Sequence, residues 1–98
     1  MRVIVIYRPR TTPPPEAMAG MFEGVRVWLE NHRSKFEQVD FFVGGGGYGV
    51  GDFDGSEELM QIAAEHPFTP FSDVEVRPVV GADEALRMLQ EALATSTQ

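Results

Sequence analysis

A run of four glycines at residues 44–47, set between two strand-like segments, is the feature that most constrains the fold. The surrounding stretch, residues 36–58, reads FEQVDFFVGGGGYGVGDFDGSEE. Before the glycines, apolar positions alternate with mixed ones, which is typical of a half-buried strand. Glycine accepts positive φ without steric cost, so the run predicts a turn between two antiparallel strands. The stretch therefore predicts a β-hairpin that leads into a helix.

The second strand of this hairpin carries two further signals. Gly49 and Gly51 fall on one face of the strand, which predicts close approach by a helix, a second subunit or a ligand. Asp54 and Glu57 have the spacing of a helix capping box, in which each side chain satisfies a backbone donor. The second helix is therefore expected to begin at Asp54, with Ser56 as an alternative cap.

The rest of the chain completes an alternating order of strands and helices. The predicted segments are a strand over 2–8, a helix over 15–32, strands over 38–43 and 48–54, a helix over 54–66, a strand over 73–80, a helix from residue 83, and a frayed tail over 95–98. This β-α-β-β-α-β order with a C-terminal helix predicts a ferredoxin-like α+β fold with a four-stranded antiparallel sheet. Pro78 cannot donate to a ladder, so the last strand is expected at an edge.

Length and composition limit the class of protein. The 98 residues predict a single domain over 1–98, and their ordinary hydrophobic share of 43% is typical of a globular chain. Cysteine is absent, which excludes disulfides and thiolate chemistry. No apolar run has the length of a membrane span or the layout of a signal peptide, so a cytoplasmic location is expected.

The net charge of −7 is unevenly distributed along the chain. Residues 1–35 carry six Lys/Arg and three Glu, whereas residues 36–98 carry two Arg and twelve Asp/Glu. An acidic protein of this kind repels nucleic acid and anionic membranes, so neither is an expected partner. The basic first third could bind an anion, meet the acidic part of a second copy, or simply be solvated.

The predicted topology leaves one face of the sheet without helices. Right-handed crossovers place both main helices on the other face. The first strand is apolar on both sides, with Val3, Ile4, Val5 and Ile6 in succession. An exposed apolar face is typical of a partner surface, so a homodimer through the open sheet face is expected.

Two segments of the C-terminal half resemble a known family. GGYGVGDFDGSEEL at 46–59 and PFTPFSDVEVRPVVGADEAL at 67–86 are similar to the matching stretches of a family of small bacterial domains of unknown function. That family belongs to the dimeric α/β-barrel superfamily, so the resemblance implies this fold and a dimer. It implies no activity, because the superfamily contains cofactor-free monooxygenases, haem-degrading enzymes, muconolactone isomerases and structural members.

The aromatic residues suggest where a small ligand could bind. The candidate ligand-binding residues are Tyr7, Trp28, Phe42, Tyr48 and Arg77. Aromatic side chains with a few polar tips suit a small apolar or aromatic ligand between sheet and helices, but the same residues could be core and interface. An enzyme of the cofactor-free monooxygenase or isomerase type and a purely structural or protein-interaction domain are the alternative functions, and no cofactor is expected.

The histidines and acidic residues give weaker indications. His32 and His66 each lie near a predicted helix C-terminus, where a cation is favoured. His32 could instead act as an acid or base, which makes it a candidate catalytic residue together with Tyr7 and Arg77. The acidic residues after the hairpin lack the ligand spacing of a calcium loop, and no metal site is expected.

Overall fold

A four-stranded antiparallel sheet forms the centre of the computed structural model, which describes residues 1–96. The strands are β1 (Arg2–Pro9), β2 (Phe36–Phe41), β3 (Gly47–Asp52) and β4 (Ser72–Pro78). They lie in the order β2-β3-β1-β4. β1, which has the continuous apolar run, is central, and β4, which contains Pro78, lies at an edge, as predicted.

Three helices complete the fold, namely α1 (Met18–His32), α2 (Ser56–Glu65) and α3 (Ala82–Ser96). Val3, Val5 and Tyr7 of β1 are buried together with Trp28 of α1 and Ile62 of α2. Both helices therefore cover the same face of the sheet. The predicted ferredoxin-like α+β fold with a C-terminal helix is confirmed. Within residues 1–96, every helix is too short or too polar to cross a lipid bilayer.

The hairpin turn lies two residues earlier than the alternation predicted. β2 ends at Phe41, where strand geometry had been expected to continue to residue 43. The Phe42 N–H donates to the Gly46 carbonyl over 2.9 Å, which closes the turn before Val43 can pair. Gly45 and Gly46 have φ of 110° and 80°, so the glycine run supplies the positive φ that this turn requires.

The glycines of β3 are buried because residues of the adjacent segment of the same chain, in and just before β2, lie directly against them. A Cβ at Gly49 would lie 2.8 Å from the ring of Phe36, and one at Gly51 would lie 2.3 Å from the carbonyl oxygen of Lys35. The predicted close approach is therefore real. It is made by the β2 side of the sheet in place of the helix, second subunit or ligand that had been expected.

The start of α2 differs from the predicted capping box. The helix begins at Ser56, and its N-cap is Gly55, which makes no side-chain cap bond. The carboxylate of Glu58, and not that of Glu57, accepts from the Asp54 N–H over 2.7 Å. A carboxylate still satisfies a backbone donor at this terminus, but the chain enters the helix two residues later than predicted.

The described chain measures 64 × 25 × 21 Å, and the C-terminal helix α3 extends away from the sheet. Leu86, Leu89 and Leu93 form an apolar stripe that is exposed along its length. The helix continues to Ser96, whose hydroxyl donates to the Leu93 carbonyl over 2.9 Å. Residues 95 and 96, predicted to fray, are thus helical, and residues 97–98 of that predicted tail lie outside the described residues.

Candidate functional site

A cavity of about 710 Å³ lies between the sheet and the two helices that cover it. Val5 and Tyr7 of β1, Trp28 of α1 and Ile62 of α2 are among the residues that line it. This volume is in the range of small-molecule sites in proteins. The cavity is therefore large enough for a ligand of one or a few rings.

The sequence creates this space by alternating large and small residues on the covered face. Alternation in β1 directs Val5 and Tyr7 toward the helices, and the register places Gly49 and Gly47 directly opposite them. Both glycines line the cavity and contribute no side chain to fill it. Gly47, which admits the Asp40 carbonyl, and Gly49, which admits the Phe36 ring, therefore also leave room above the sheet.

Aromatic rings form one wall of the cavity around His66, the residue that follows α2. The His66 ring lies 4.3 Å from that of Tyr7 and 4.7 Å from that of Trp28, measured between centroids. Phe68 contacts the same imidazole at 6.2 Å, and all four residues line the cavity. Such a wall favours planar and apolar ligands, because aromatic faces and edges pack well against other rings.

Most polar side-chain atoms in this wall already form hydrogen bonds within the protein. The Thr69 hydroxyl donates to the Ala63 carbonyl over 2.5 Å, so it can only accept from the Tyr7 hydroxyl, 3.0 Å away. The Trp28 indole N–H donates to the Ile62 carbonyl over 2.9 Å. Burial raises the pKa of the Tyr7 phenol, and the bond to Thr69 opposes this rise only in part. Tyr7 therefore stays a neutral phenol near pH 7.

His66 is held as a neutral imidazole of one tautomer. Its Nδ1 accepts a hydrogen bond from the Phe68 N–H over 3.1 Å, which leaves the ring hydrogen on Nε2. Burial lowers the pKa of His66 to about 4, because the surrounding rings offer a charged imidazolium no solvation. The ring is consequently uncharged at neutral pH and has one N–H to donate.

Four of the five residues predicted to bind a ligand line the cavity, namely Tyr7, Trp28, Phe42 and Tyr48. Phe42 and Tyr48 stack with ring centroids 5.8 Å apart. The Tyr48 hydroxyl donates to Asp40 over 2.6 Å, and this bond raises the pKa of the phenol and lowers that of the carboxyl group. Tyr48 is the register partner of Ile6, so strand alternation directs its ring to the open face of the sheet. Phe42 stacks on that ring at the hairpin end, and neither side chain joins the aromatic wall around His66.

The fifth residue, Arg77, lies on the opposite side of the sheet. Its register partner is Ile4, and its guanidinium pairs with Glu75, which also binds Arg8 over 2.6 Å. The Arg77 side chain is 72% exposed. The strand alternation that directs Val76 toward the cavity directs Arg77 away from it, so the five residues do not form one site.

The second candidate acid or base, His32, has a different environment from His66. Its Nε2 lies 2.6 Å from a carboxylate oxygen of Glu65, and its ring contacts Trp28 at 5.6 Å. Sequence reasoning treated both histidines as helix C-terminal residues and did not select His66 as a site residue. The signal that could have distinguished it is Pro67, which ends α2 and turns the chain into the aromatic loop beside the cavity.

No group of three or more potential metal-ligating side chains occurs among residues 1–96. The titratable groups of the aromatic wall are His66 and Tyr7, both neutral, while Arg26 and Asp40 also line the cavity elsewhere. Uncharged groups of this kind can orient a ligand through hydrogen bonds, and a histidine with a free N–H can polarise a ligand oxygen.

Comparison with known proteins supports the fold and the family. The family model described as "Domain of unknown function (DUF3303)" matches residues 1–93. No curated protein sequence matches the chain.

Among solved structures, muconolactone isomerase superposes with a TM-score of 0.70 at 17% identity, over 83% of this chain and 90% of that one. The 5-chloro-2-hydroxyhydroquinone dehydrochlorinase TftG from Burkholderia phenoliruptrix AC1100, in complex with 2,5-dihydroxybenzoquinone, superposes with a TM-score of 0.62. Its identity is 13%, over 84% of this chain and 97% of that one. Both belong to the dimeric α/β-barrel superfamily, and identities this low show a shared fold alone.

Proposed function

We propose that this chain, which belongs to the family described as Domain of unknown function (DUF3303), binds a small planar, largely apolar ligand in the cavity between the sheet and helices α1 and α2. The observation that carries the proposal is the cavity itself, about 710 Å³ in volume and walled by aromatic rings around His66. A helix-covered sheet of this size normally fills such a space with core side chains, since protein interiors are close-packed.

The chain supplies its own reporter for the test. Trp28 is the sole tryptophan, and it lines the cavity. We expect naphthalene, a planar ring probe, to change Trp28 emission in a saturable titration, and equilibrium dialysis to give the same dissociation constant. A cavity that takes up no planar probe by either method would contradict the proposal.

A matched pair of variants ties the signal to the cavity. Ala63 of α2 lines the cavity, whereas its neighbour Ala64 is exposed and does not. We expect Ala63→Phe to weaken probe binding by at least tenfold, because the new ring occupies the site, and Ala64→Phe to leave binding unchanged within about twofold. Equal effects of the two substitutions would place the probe elsewhere on the molecule.

A catalytic role is the second candidate, and the neutral His66 beside Tyr7 is the observation that favours it. The solved structures with similar folds are a muconolactone isomerase and a 5-chloro-2-hydroxyhydroquinone dehydrochlorinase, enzymes named for small ring compounds. An isomerase-like reaction needs an acid or base within reach of the ligand, and His66 and Tyr7 are the titratable groups in the aromatic wall. Turnover of a bound lactone or quinone, lost in His66→Phe, would support this role.

We further propose that two copies form a homodimer through the open face of the sheet. Ile4 and Ile6 of β1 and Val50 of β3 lie at the centre of this face, half-buried within one chain. Charged pairs surround them, among them Arg2 with Glu37 over 2.9 Å. An apolar centre with a polar rim is the usual anatomy of a protein interface. Sedimentation of the full chain at micromolar concentration tests the proposal, and a monomer would contradict it.

A further inference from the structure

We infer that His66 selects the ligand, by donating its Nε2–H to a carbonyl oxygen of an uncharged, planar compound such as a quinone or an aryl ketone. This inference rests on the proposed binding function and names the chemical class of ligand. The basis is that the other polar hydrogens in the aromatic wall already form hydrogen bonds within the protein.

Three of the four polar side chains in the wall have no hydrogen left to donate. The Thr69 hydroxyl is committed to the Ala63 carbonyl, the Tyr7 hydroxyl to Thr69, and the Trp28 indole N–H to the Ile62 carbonyl. What remains on Tyr7 is an oxygen that can accept. Among these groups, only the imidazole of His66 has an uncommitted N–H.

The geometry fixes that N–H on Nε2 and leaves it accessible. Nδ1 accepts from the Phe68 N–H, so the hydrogen of the neutral ring is on the other nitrogen. Within residues 1–96, Nε2 has no hydrogen-bond partner, and no side-chain nitrogen or oxygen there is both sealed from solvent and unpaired. Since His66 lines the cavity, Nε2 can be reached by a ligand there.

The complementary ligand group is an uncharged acceptor. A carboxylate would bring a negative charge into an apolar wall in which His66 is not cationic, and such a charge is costly to bury unpaired. Arg26 also lines the cavity, but it is already paired with Glu23 and Glu30. A carbonyl oxygen accepts the one available hydrogen without introducing charge, and the attached planar ring packs against Tyr7 and Trp28.

A matched pair of probes tests the inference on the full-length protein. Naphthalene and 1,4-naphthoquinone have the same ring frame and differ in the carbonyl groups, and the chain has no cysteine with which a quinone would react. We expect the quinone to bind roughly three- to tenfold more tightly, the ratio that one neutral hydrogen bond supplies. His66→Phe should reduce this ratio to about one.

The second histidine provides the control, and the outcomes separate the two proposals. His32 also contacts Trp28 but bonds to Glu65, so His32→Phe should keep the preference for the quinone. If neither probe binds the wild-type protein, the proposed function fails. If both bind but the preference is absent, or survives His66→Phe, then the binding function stands and the inference about His66 is wrong.

A measurement on the unmodified protein covers the case in which His66→Phe does not fold. Long-range ¹H–¹⁵N spectra of the imidazole report which ring nitrogen carries the hydrogen. We expect the Nε2–H tautomer of His66 at pH 7, and a change of its Nε2 resonance with naphthoquinone but not with naphthalene. The Nδ1–H tautomer, or equal changes with both probes, would overturn the inference.

Discussion

The two faces of the sheet are built from alternate residues of the same strands, yet they have opposite characters. The covered face carries Val5, Tyr7 and the β3 glycines, and it borders the cavity with its aromatic wall. The open face carries Ile4 and Ile6 at its centre and ionic pairs at its rim. The comparison teaches that one alternating pattern can place an aromatic cavity on one side of a sheet and an exposed apolar face with an ionic rim on the other.

The largest expected effect is on the covered face, at Trp28. This side chain is 8% exposed, contacts three aromatic rings and donates to the Ile62 carbonyl. We expect Trp28→Ala to lower the free energy of unfolding by about 3–5 kcal/mol, through lost burial and an unpaired carbonyl. Val27→Ala on the exposed side of the same helix should cost less than about 1 kcal/mol. Urea unfolding followed by circular dichroism measures both, and similar losses would show that α1 does not pack as described.

A charge at the centre of the open face should affect association and spare the fold. Ile4 lies between Val50 and Arg77 in the register, so a glutamate there has a cationic cross-strand neighbour. We expect Ile4→Glu to convert the dimer to a monomer at micromolar concentration, a loss of about 2–3 kcal/mol or more, because two carboxylates would meet across the interface. Sedimentation velocity measures this.

The control for that variant is a second exposed apolar surface, the leucine stripe of α3. Leu89→Glu changes the stripe by the same charge but leaves the sheet intact. A dimer that survives Leu89→Glu and not Ile4→Glu supports the open face as the interface. The reverse result would move the interface to α3 and contradict the proposal.

The next largest expected effect is a loss of stability on the covered face, at Gly51. A Cβ there would lie 2.3 Å from the Lys35 carbonyl oxygen, a backbone atom that cannot move independently of β2. We expect Gly51→Ala to lower the free energy of unfolding by about 1–3 kcal/mol, the usual cost of overpacking. Gly20→Ala has open space around the new Cβ and should instead be stabilising by up to about 1 kcal/mol, since alanine favours the helix. A harmless Gly51→Ala in thermal unfolding would show that β2 is not so close to β3.

These variants also show how far the sequence alone could predict the molecule. Element order, the central and edge positions of the strands and the helix-covered face follow from short-range patterns, so the places of β1 and β4 in the sheet were predicted correctly, although β4 ends at Pro78 and not at residue 80. The cavity was not predictable in the same way, because it depends on which residues lie opposite Gly47 and Gly49 across strands. Arg77 was grouped with the aromatic residues by chemistry, although strand alternation alone could have placed it on the other face.

The pH dependence of stability should distinguish the neutral wall of the covered face from the ionic rim of the open face. The folded pKa of His66 is lowered from 6.5 to about 4. Between these values the unfolded chain binds a proton that the folded chain does not, so stability is full above pH 6.5 and falls as the pH drops toward 4. We expect a slope of up to about 1.4 kcal/mol per pH unit, and His66→Phe should remove this contribution.

The carboxylates at the rim of the open face contribute to stability over a different pH range. Glu75, held by Arg8 and Arg77, and Glu37, held by Arg2, have lowered pKa values, so their contribution is present above pH 4.5 and is lost as the pH falls further. The difference between wild type and His66→Phe from pH 6.5 to 5 therefore isolates the histidine. Urea unfolding at pH steps in this range measures it, and parallel curves for the two proteins would show that folding does not lower the pKa of His66.

The smallest expected effect is that of Arg77 on ligand binding. Arg77 lies behind the sheet from the cavity, and its guanidinium is solvent-exposed and paired with Glu75. We expect Arg77→Ala to leave naphthalene and naphthoquinone affinities unchanged within about twofold, because the β-sheet separates the charge from the ligand and solvent screens it. Titration of Trp28 fluorescence measures this. A selective loss of quinone binding in Arg77→Ala would mean that a charge on the open face affects ligand affinity in the cavity, and that the two faces do not act independently.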